Sequence, residues 1–121
     1  ARTSEARKFP WGENSENPPA DLDGTYLATR PVTFFAGGAT PHGCLQMMGT
    51  AWEWTTNQYL PFDGFSVDMY AYMSTLQFGT HKTTRGGSCA TSSSLIRNTY
   101  RQAYHPDRSD VFAGFRTCAM P

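Results

Sequence analysis

Three histidines, three cysteines and a run of arginines are the groups in this 121-residue sequence with the chemistry to hold a metal, attack a substrate or clamp a carboxylate. His42, His81 and His105 have no metal-ligand spacing among themselves or with carboxylates, so a metal held by these residues alone is not expected. Cys44, Cys89 and Cys118 make an odd count without a CxxC pair. A disulfide framework is therefore not expected, and a reducing, cytoplasmic location is the simpler expectation. The arginines are more informative. Eight Arg stand beside two Lys, and from Arg85 onward five Arg (Arg85, Arg97, Arg101, Arg108, Arg116) are accompanied by only two acids, Asp107 and Asp110. Guanidinium pairs with carboxylates through a planar fork and stacks on aromatic rings. Its local excess among Tyr and Phe suits small carboxylate ligands such as amino acids or peptides, and Arg101 and Arg108 are the candidate clamps. The alternative for any one of them is structural: bonding the carbonyls of irregular loops or, in Pro106-Asp107-Arg108, forming a local ion pair in a turn.

The chain length is that of one domain with one core. Ten basic and ten acidic residues cancel, so nucleic acid is not an expected partner. No apolar run approaches the roughly 20 residues of a membrane span. Residues 1–31 are polar and rich in turn formers, expected to wrap a surface with Trp11 and Tyr26 as anchors. Val32 to Phe35 reads as a strand stopped by Ala36-Gly37-Gly38, and Leu45 to Met48 as a turn of helix. Extended backbone from Ala51 to Thr55 would put Trp52 and Trp54 on one face and Glu53 on the other. A buried Glu53 needs a partner, and Arg116 is the candidate. Asp68 to Phe78 reads as a short helix ending at Gly79, and His81 to Arg85 as a Thr-rich strand broken by Gly86-Gly87. Ser92 to Arg101 suggests a helical turn capped by Ser92 or Ser93, and Val111 to Cys118 a final strand. With eleven Gly, eight Pro and 14% aromatic residues, the composition describes an irregular α+β domain of short elements joined by long, packed loops.

Three blocks occur in a fixed order: Gly49-Thr50-Ala51-Trp52-Glu53-Trp54-Thr55, Arg85-Gly86-Gly87-Ser88 and Ala113-Gly114-Phe115-Arg116. They resemble the formylglycine-generating enzyme (sulfatase-modifying factor) superfamily. Cys89-Ala90-Thr91, Ile96-Arg97, Thr99-Tyr100-Arg101 and Pro61-Phe62-Asp63-Gly64-Phe65 look most like the C-terminal domain of the nonheme-iron sulfoxide synthases of ergothioneine biosynthesis. The resemblance covers nearly the whole chain, from Phe9-Pro10-Trp11-Gly12 onward. It implies the sulfatase-modifying variant of the C-type-lectin-like fold, with residues 1–121 as a single, partial domain at the C-terminal end of a longer protein. Enzymes of this kind join a thiol to the imidazole of a histidine derivative using O2. Their Fe(II) is bound by three histidines on an N-terminal helical domain outside this chain, so the partners implied here are that domain and two small molecules, cysteine or a cysteine peptide and a histidine derivative.

Residue by residue, the resemblance implies a catalytic tyrosine before the Arg-Gly-Gly-Ser block. Counting back from Arg85, Tyr72 matches the second of the family's tyrosine pair, and the first falls on Met69 with Tyr70 beside it. Tyr70 is thus the candidate phenol through a one-residue shift, and Tyr72 a substrate-binding neighbour; the alternative is that both are ordinary packing residues. The segment Arg101-Gln102-Ala103-Tyr104-His105-Pro106 matches a loop reading Arg-Asn-Trp-Asp in one branch, where it contacts both substrates. Gln102 retains the amide role, and Tyr104 offers a π face to a trimethylammonium group. Replacement of the Asp by Tyr104 favours free cysteine over γ-glutamylcysteine. Calcium, bound by some members through an Asn at the position of Thr50, is doubtful here. Formylglycine generation is excluded, since Thr91 stands where the first copper-binding cysteine belongs and no Cys occurs from 90 to 117. Cys89 is expected to be a small buried hydrophobe. A noncatalytic lectin-like binding module of the same superfamily is the alternative function.

Overall fold

The computed structural model describes residues 6–14 and 16–118. Its regular structure is a four-stranded mixed sheet in the order β3-β2-β1-β4, with β1 Trp52–Gln58, β2 Lys82–Arg85, β3 Gln102–Tyr104 and β4 Ala113–Gly114. β1 and β2 run antiparallel, pairing Glu53 with Arg85 and Trp54 with Thr84, and the register shifts before Gln58 meets Lys82. β3 adds antiparallel to β2, with Tyr104 opposite Lys82 and Gln102 opposite Thr84. β4 is the parallel partner of β1, with Trp52 opposite Ala113 and Glu53 opposite Gly114. One helix, α1 at Ala71–Thr75, and one 3-10 turn at Ala36–Gly38 complete the described elements.

The core draws largely on loops: Phe9, Leu22, Met48 and Ile96 form one cluster, with Trp11 and Ala20 packed against it, and the sheet adds buried Trp52 and Ala103. The Gly49 and Arg85 blocks interlock here through backbone hydrogen bonds, with Asp21 joining them: Gly49 N donates to Gly86 O at 2.9 Å, Thr50 N to Asp21 O at 3.0 Å, and Cys89 N to Thr50 O at 3.0 Å. Gly49 has φ +83°, and a Cβ there would lie 2.4 Å from Asp21 O, so only glycine fits this crossing. Loops that exchange main-chain bonds in this way satisfy their buried polar groups without long elements.

Several expected elements are shorter or different. Val32 to Phe35 is a turn, not a strand: Phe34 N donates to Pro31 O, and Phe34 and Phe35 pack edge-to-face on each other and against Tyr26. Tyr26 is therefore part of an exposed aromatic cluster, whereas Trp11 stacks on Phe9 and anchors the N-terminal segment as expected. Leu45 to Met48 is irregular rather than helical, because the carbonyls of Leu45 and Gln46 accept from the Arg116 guanidinium. The helix expected over Asp68 to Phe78 is only Ala71–Thr75, followed by turns through Gly79. Ser92 to Arg101 contains isolated turns, since Ser93 N bonds the Asp23 carboxylate and Tyr100 N bonds Arg97 O. The final strand is two residues, Ala113–Gly114, instead of Val111 to Cys118. Arg116 leaves the strand line to reach Glu53 and the two carbonyls.

Candidate functional site

Side chains alternate across a strand, and this sheet has two chemically different faces. Trp52 and Trp54 share one face, as expected, and both ring systems meet Tyr104 of β3, at 6.2 Å and 6.3 Å between centroids with near-perpendicular planes. The opposite face carries Glu53 of β1 next to Arg85 of β2. Arg116 bonds the Glu53 carboxylate through both Nε and Nη2, so the expected pairing is present, although Glu53 keeps about a fifth of its side-chain exposure and is only partly buried.

On the aromatic face, the segment after β3 turns back on itself. The Arg108 guanidinium lies over the Tyr104 ring at 5.3 Å and grips Asp110 with two hydrogen bonds, 2.7 and 3.0 Å. This ion pair holds the Asp110 carboxyl below its ordinary range and the Arg108 guanidinium above its own. Burial is the main reason the Tyr104 phenol is pushed up, with Arg108 opposing. A cation already rests on this ring, which demonstrates the electrostatic character an ammonium ligand would use. Gln102 is held locally: Ala103 N donates to its Oε1 at 3.2 Å, and Thr84 Oγ1 donates to its carbonyl at 3.2 Å. The amide nitrogen has no bond among the described residues. His105 packs edge-on against His81 at 5.7 Å, tying this segment to the start of β2.

On the other face, a cleft of about 560 Å³ opens between β1, β2 and the turn Arg97–Tyr100, with Met47, Phe62, Arg85 and Arg97 among its walls. A shallower depression of about 330 Å³ shares Phe62 and Arg85 with it and reaches Arg101. The Arg101 guanidinium lies over Tyr59 at 4.3 Å and over Phe62 at 4.0 Å. The structure thus brings Gln102, Tyr104 and Arg108 together at one sheet edge but places Arg101 toward the opposite face. Tyr70 and Tyr72 flank the start of α1, about 70% exposed (69% and 72%), and border neither cleft. Arg85 and Arg97 line the cleft, and the arginine excess from position 85 onward is the sequence signal for them.

Among the described residues no group of three or more His, Cys, Asp or Glu side chains is arranged to hold a metal ion. The Thr50 hydroxyl and both Asp21 carboxylate oxygens are buried without a partner, fewer side-chain oxygens than the six to eight ligands calcium takes. Cys89 is buried, and burial, followed by the charge of Asp21, pushes its thiol pKa up, the opposite of what a nucleophile needs. Among the described residues, no helix is long and apolar enough to cross a membrane.

A few short strands in a mixed sheet, wrapped by long loops that carry the core, define the irregular α+β class of C-type-lectin-like folds. The chain belongs to the sulfatase-modifying factor enzyme 1-like domain family, which it matches over residues 1–120. It is 38% identical over 116 residues to a hercynine oxygenase of Mycobacterium tuberculosis, covering 94% of this chain and 27% of that protein. A hercynine oxygenase of Mycolicibacterium thermoresistibile is 35% identical over 120 residues, with 94% and 27% covered. One from Mycolicibacterium smegmatis is 35% identical over 116 residues, with 91% and 27% covered. The chain therefore spans about a quarter of the length of the curated relatives it matches.

Proposed function

We propose that this chain is the substrate-binding C-terminal part of a cytoplasmic, iron- and O2-dependent sulfoxide synthase that joins cysteine, or a cysteine peptide, to a histidine derivative. The observation carrying this reading is the edge cluster of Gln102, Tyr104 and Arg108, on the segment that the family resemblance assigns to substrate contact, in a chain related to hercynine oxygenases. The Fe(II) would be held by an N-terminal helical domain outside these residues and would supply the oxygen chemistry there.

The work of this chain is to bind and orient. The Tyr104 ring, fixed against Trp52 and Trp54, offers a π face to the trimethylammonium of a histidine betaine, in place of or alongside Arg108. The free amide nitrogen of Gln102 donates a hydrogen bond to the imidazole or carboxylate of a substrate. Arg101 and Arg108 meet carboxylates, and Arg108 does so by exchanging Asp110 for the ligand. Tyr70 supplies a phenol to the oxygen chemistry, with Tyr72 beside it. Their high exposure leaves both rings free to meet the rest of the protein.

Substitutions in the full-length protein test these roles. Tyr104→Ala and Gln102→Ala should raise KM for the histidine substrate at least about tenfold, the equivalent of one lost charge-assisted or cation–π contact, with a smaller change in kcat. Tyr70→Phe should lower kcat and leave KM nearly unchanged. Unchanged kinetics in all three variants would overturn these roles, whereas no turnover by the parent protein would favour the noncatalytic binding module. One observation already leans that way: the Asp110 grip leaves Arg108 engaged within its own loop.

A further inference from the structure

The cleft on the Glu53 face is built with more care than a surface dent requires. Its volume, about 560 Å³, is within the roughly 300–1,000 Å³ range of small-molecule sites. Arg97 opens the turn Arg97–Tyr100, and that turn is pinned from both sides. Arg85 Nη1 donates to the carbonyls of Thr99 and Tyr100 at 3.1 and 3.0 Å. Asn98 donates to the N-terminal segment, from its backbone N to Lys8 O at 2.7 Å and from its side chain to Arg7 O at 2.8 Å. The floor is equally constrained, because Gly86 has φ +94° and a Cβ there would come within 3.0 Å of Met47 O. The Arg97 backbone is thus held in place, while its guanidinium has no hydrogen-bond, ion-pair or ring partner among the described residues. A guanidinium on a fixed backbone and free of competing partners meets a ligand carboxylate without first breaking another bond.

The walls decide which ligand. Met47, Met48 and Phe62 present apolar and thioether surface, which suits an apolar body. Glu53 lines the same cleft, and its carboxylate is already bonded by Arg116, so a second negative group beside it would meet repulsion. We propose that this cleft binds a small monocarboxylate with an apolar body, the carboxylate held by Arg97 and the body by Met47 and Phe62. The proposal stands on the cleft alone and does not depend on the sulfoxide-synthase reading.

N-acetylmethionine and its neutral amide are suitable probes, followed by saturation-transfer NMR on the full-length protein. The acid should give saturation at the S-methyl and acetyl groups at millimolar concentration, and the amide at least about tenfold less, since the charge-assisted contact is lost. Arg97→Gln should reduce binding of the acid to the level of the amide, and Arg97→Lys should restore part of it. Met47→Glu, which places a carboxylate in the same cleft, should also abolish binding. Arg97 is exposed and makes no side-chain bond among the described residues, so its variants should fold, and circular dichroism will verify this. Equal signals from acid and amide, no signal from the acid, or an unchanged signal in Arg97→Gln would each overturn the proposal.

Discussion

Asp21 is fully buried, and neither of its carboxylate oxygens has a hydrogen-bond partner among the described residues. Its backbone is committed to the loop crossing at Thr50, and its carbonyl sits against Gly49, so the side chain cannot move out without opening the interlock. An unpaired carboxylate in such a position costs several kcal/mol after relaxation, whereas an unsatisfied amide costs about 1–3 kcal/mol. Asp21→Asn keeps the shape and removes an ionisable group that has no partner, and should therefore stabilise the fold by about 1–3 kcal/mol. For a domain of this size that is about 4 °C in Tm for each kcal/mol, measured by circular dichroism at neutral pH. The substitution also removes the lesser of the two causes that push the Cys89 thiol up, burial being the larger. Thiolate absorbance should appear at lower pH in the variant. A Tm equal to or below that of the parent would refute the reasoning and mean that the carboxylate is partnered and stabilising.

Arg116→Ala should destabilise by about 1–2 kcal/mol, because it strips the bonds to Glu53 and hands the carbonyls of Leu45 and Gln46 to water, all of these bonds being partly exposed; Glu53→Gln should cost less, and chemical denaturation will rank the two. Gly49→Ala should cost more than about 3 kcal/mol, since the new methyl meets backbone at 2.4 Å and the φ is left-handed, and loss of the folded chain in the soluble fraction is the readout. The raised phenol of Tyr104 contributes stability that is complete below pH about 10, the unfolded value, and is lost as pH rises through its folded value, so Tyr104→Phe should flatten the alkaline limb of a stability–pH curve. Asp23, lowered chiefly by the backbone hydrogen bond from Ser93, acts at the other end: its contribution is complete above pH about 4 and fades as pH falls through the depressed value, and Asp23→Asn should flatten the acid limb.

The two central strands were legible because their signals are local. Trp52 and Trp54 alternate around Glu53, and Lys82 to Arg85 is rich in β-branched residues. β3 has no sequence signature, since three residues from Gln102 to Tyr104 carry no period and the strand exists only through pairing with β2. β4 ends after two residues for a tertiary reason, the pull of Glu53 and the Leu45–Gln46 carbonyls on Arg116, which propensity does not register. The Glu53–Arg116 pair was legible from the need of a partly buried charge for a partner. The structural alternative for the arginines holds for Arg85 and Arg116, whose guanidiniums bond loop carbonyls. The separation of Arg101 from Gln102 and Tyr104 follows from alternation along β3, which became visible only once that segment was known to be a strand. The role of Arg97 depends on a turn pinned by residues 7 and 8, about ninety positions away in sequence, and no short-range pattern encodes that.

Mass spectrometry of the reaction mixture tests the functional reading most directly. The full-length protein is loaded with Fe(II) and given O2, cysteine or γ-glutamylcysteine, and histidine or its trimethyl betaine. The expected product is a sulfoxide joining the cysteine sulfur to the imidazole ring, formed with free cysteine in preference to γ-glutamylcysteine. No coupled product with any substrate pair, from protein shown to contain iron, would contradict the synthase reading and leave a binding module of the sulfatase-modifying factor family.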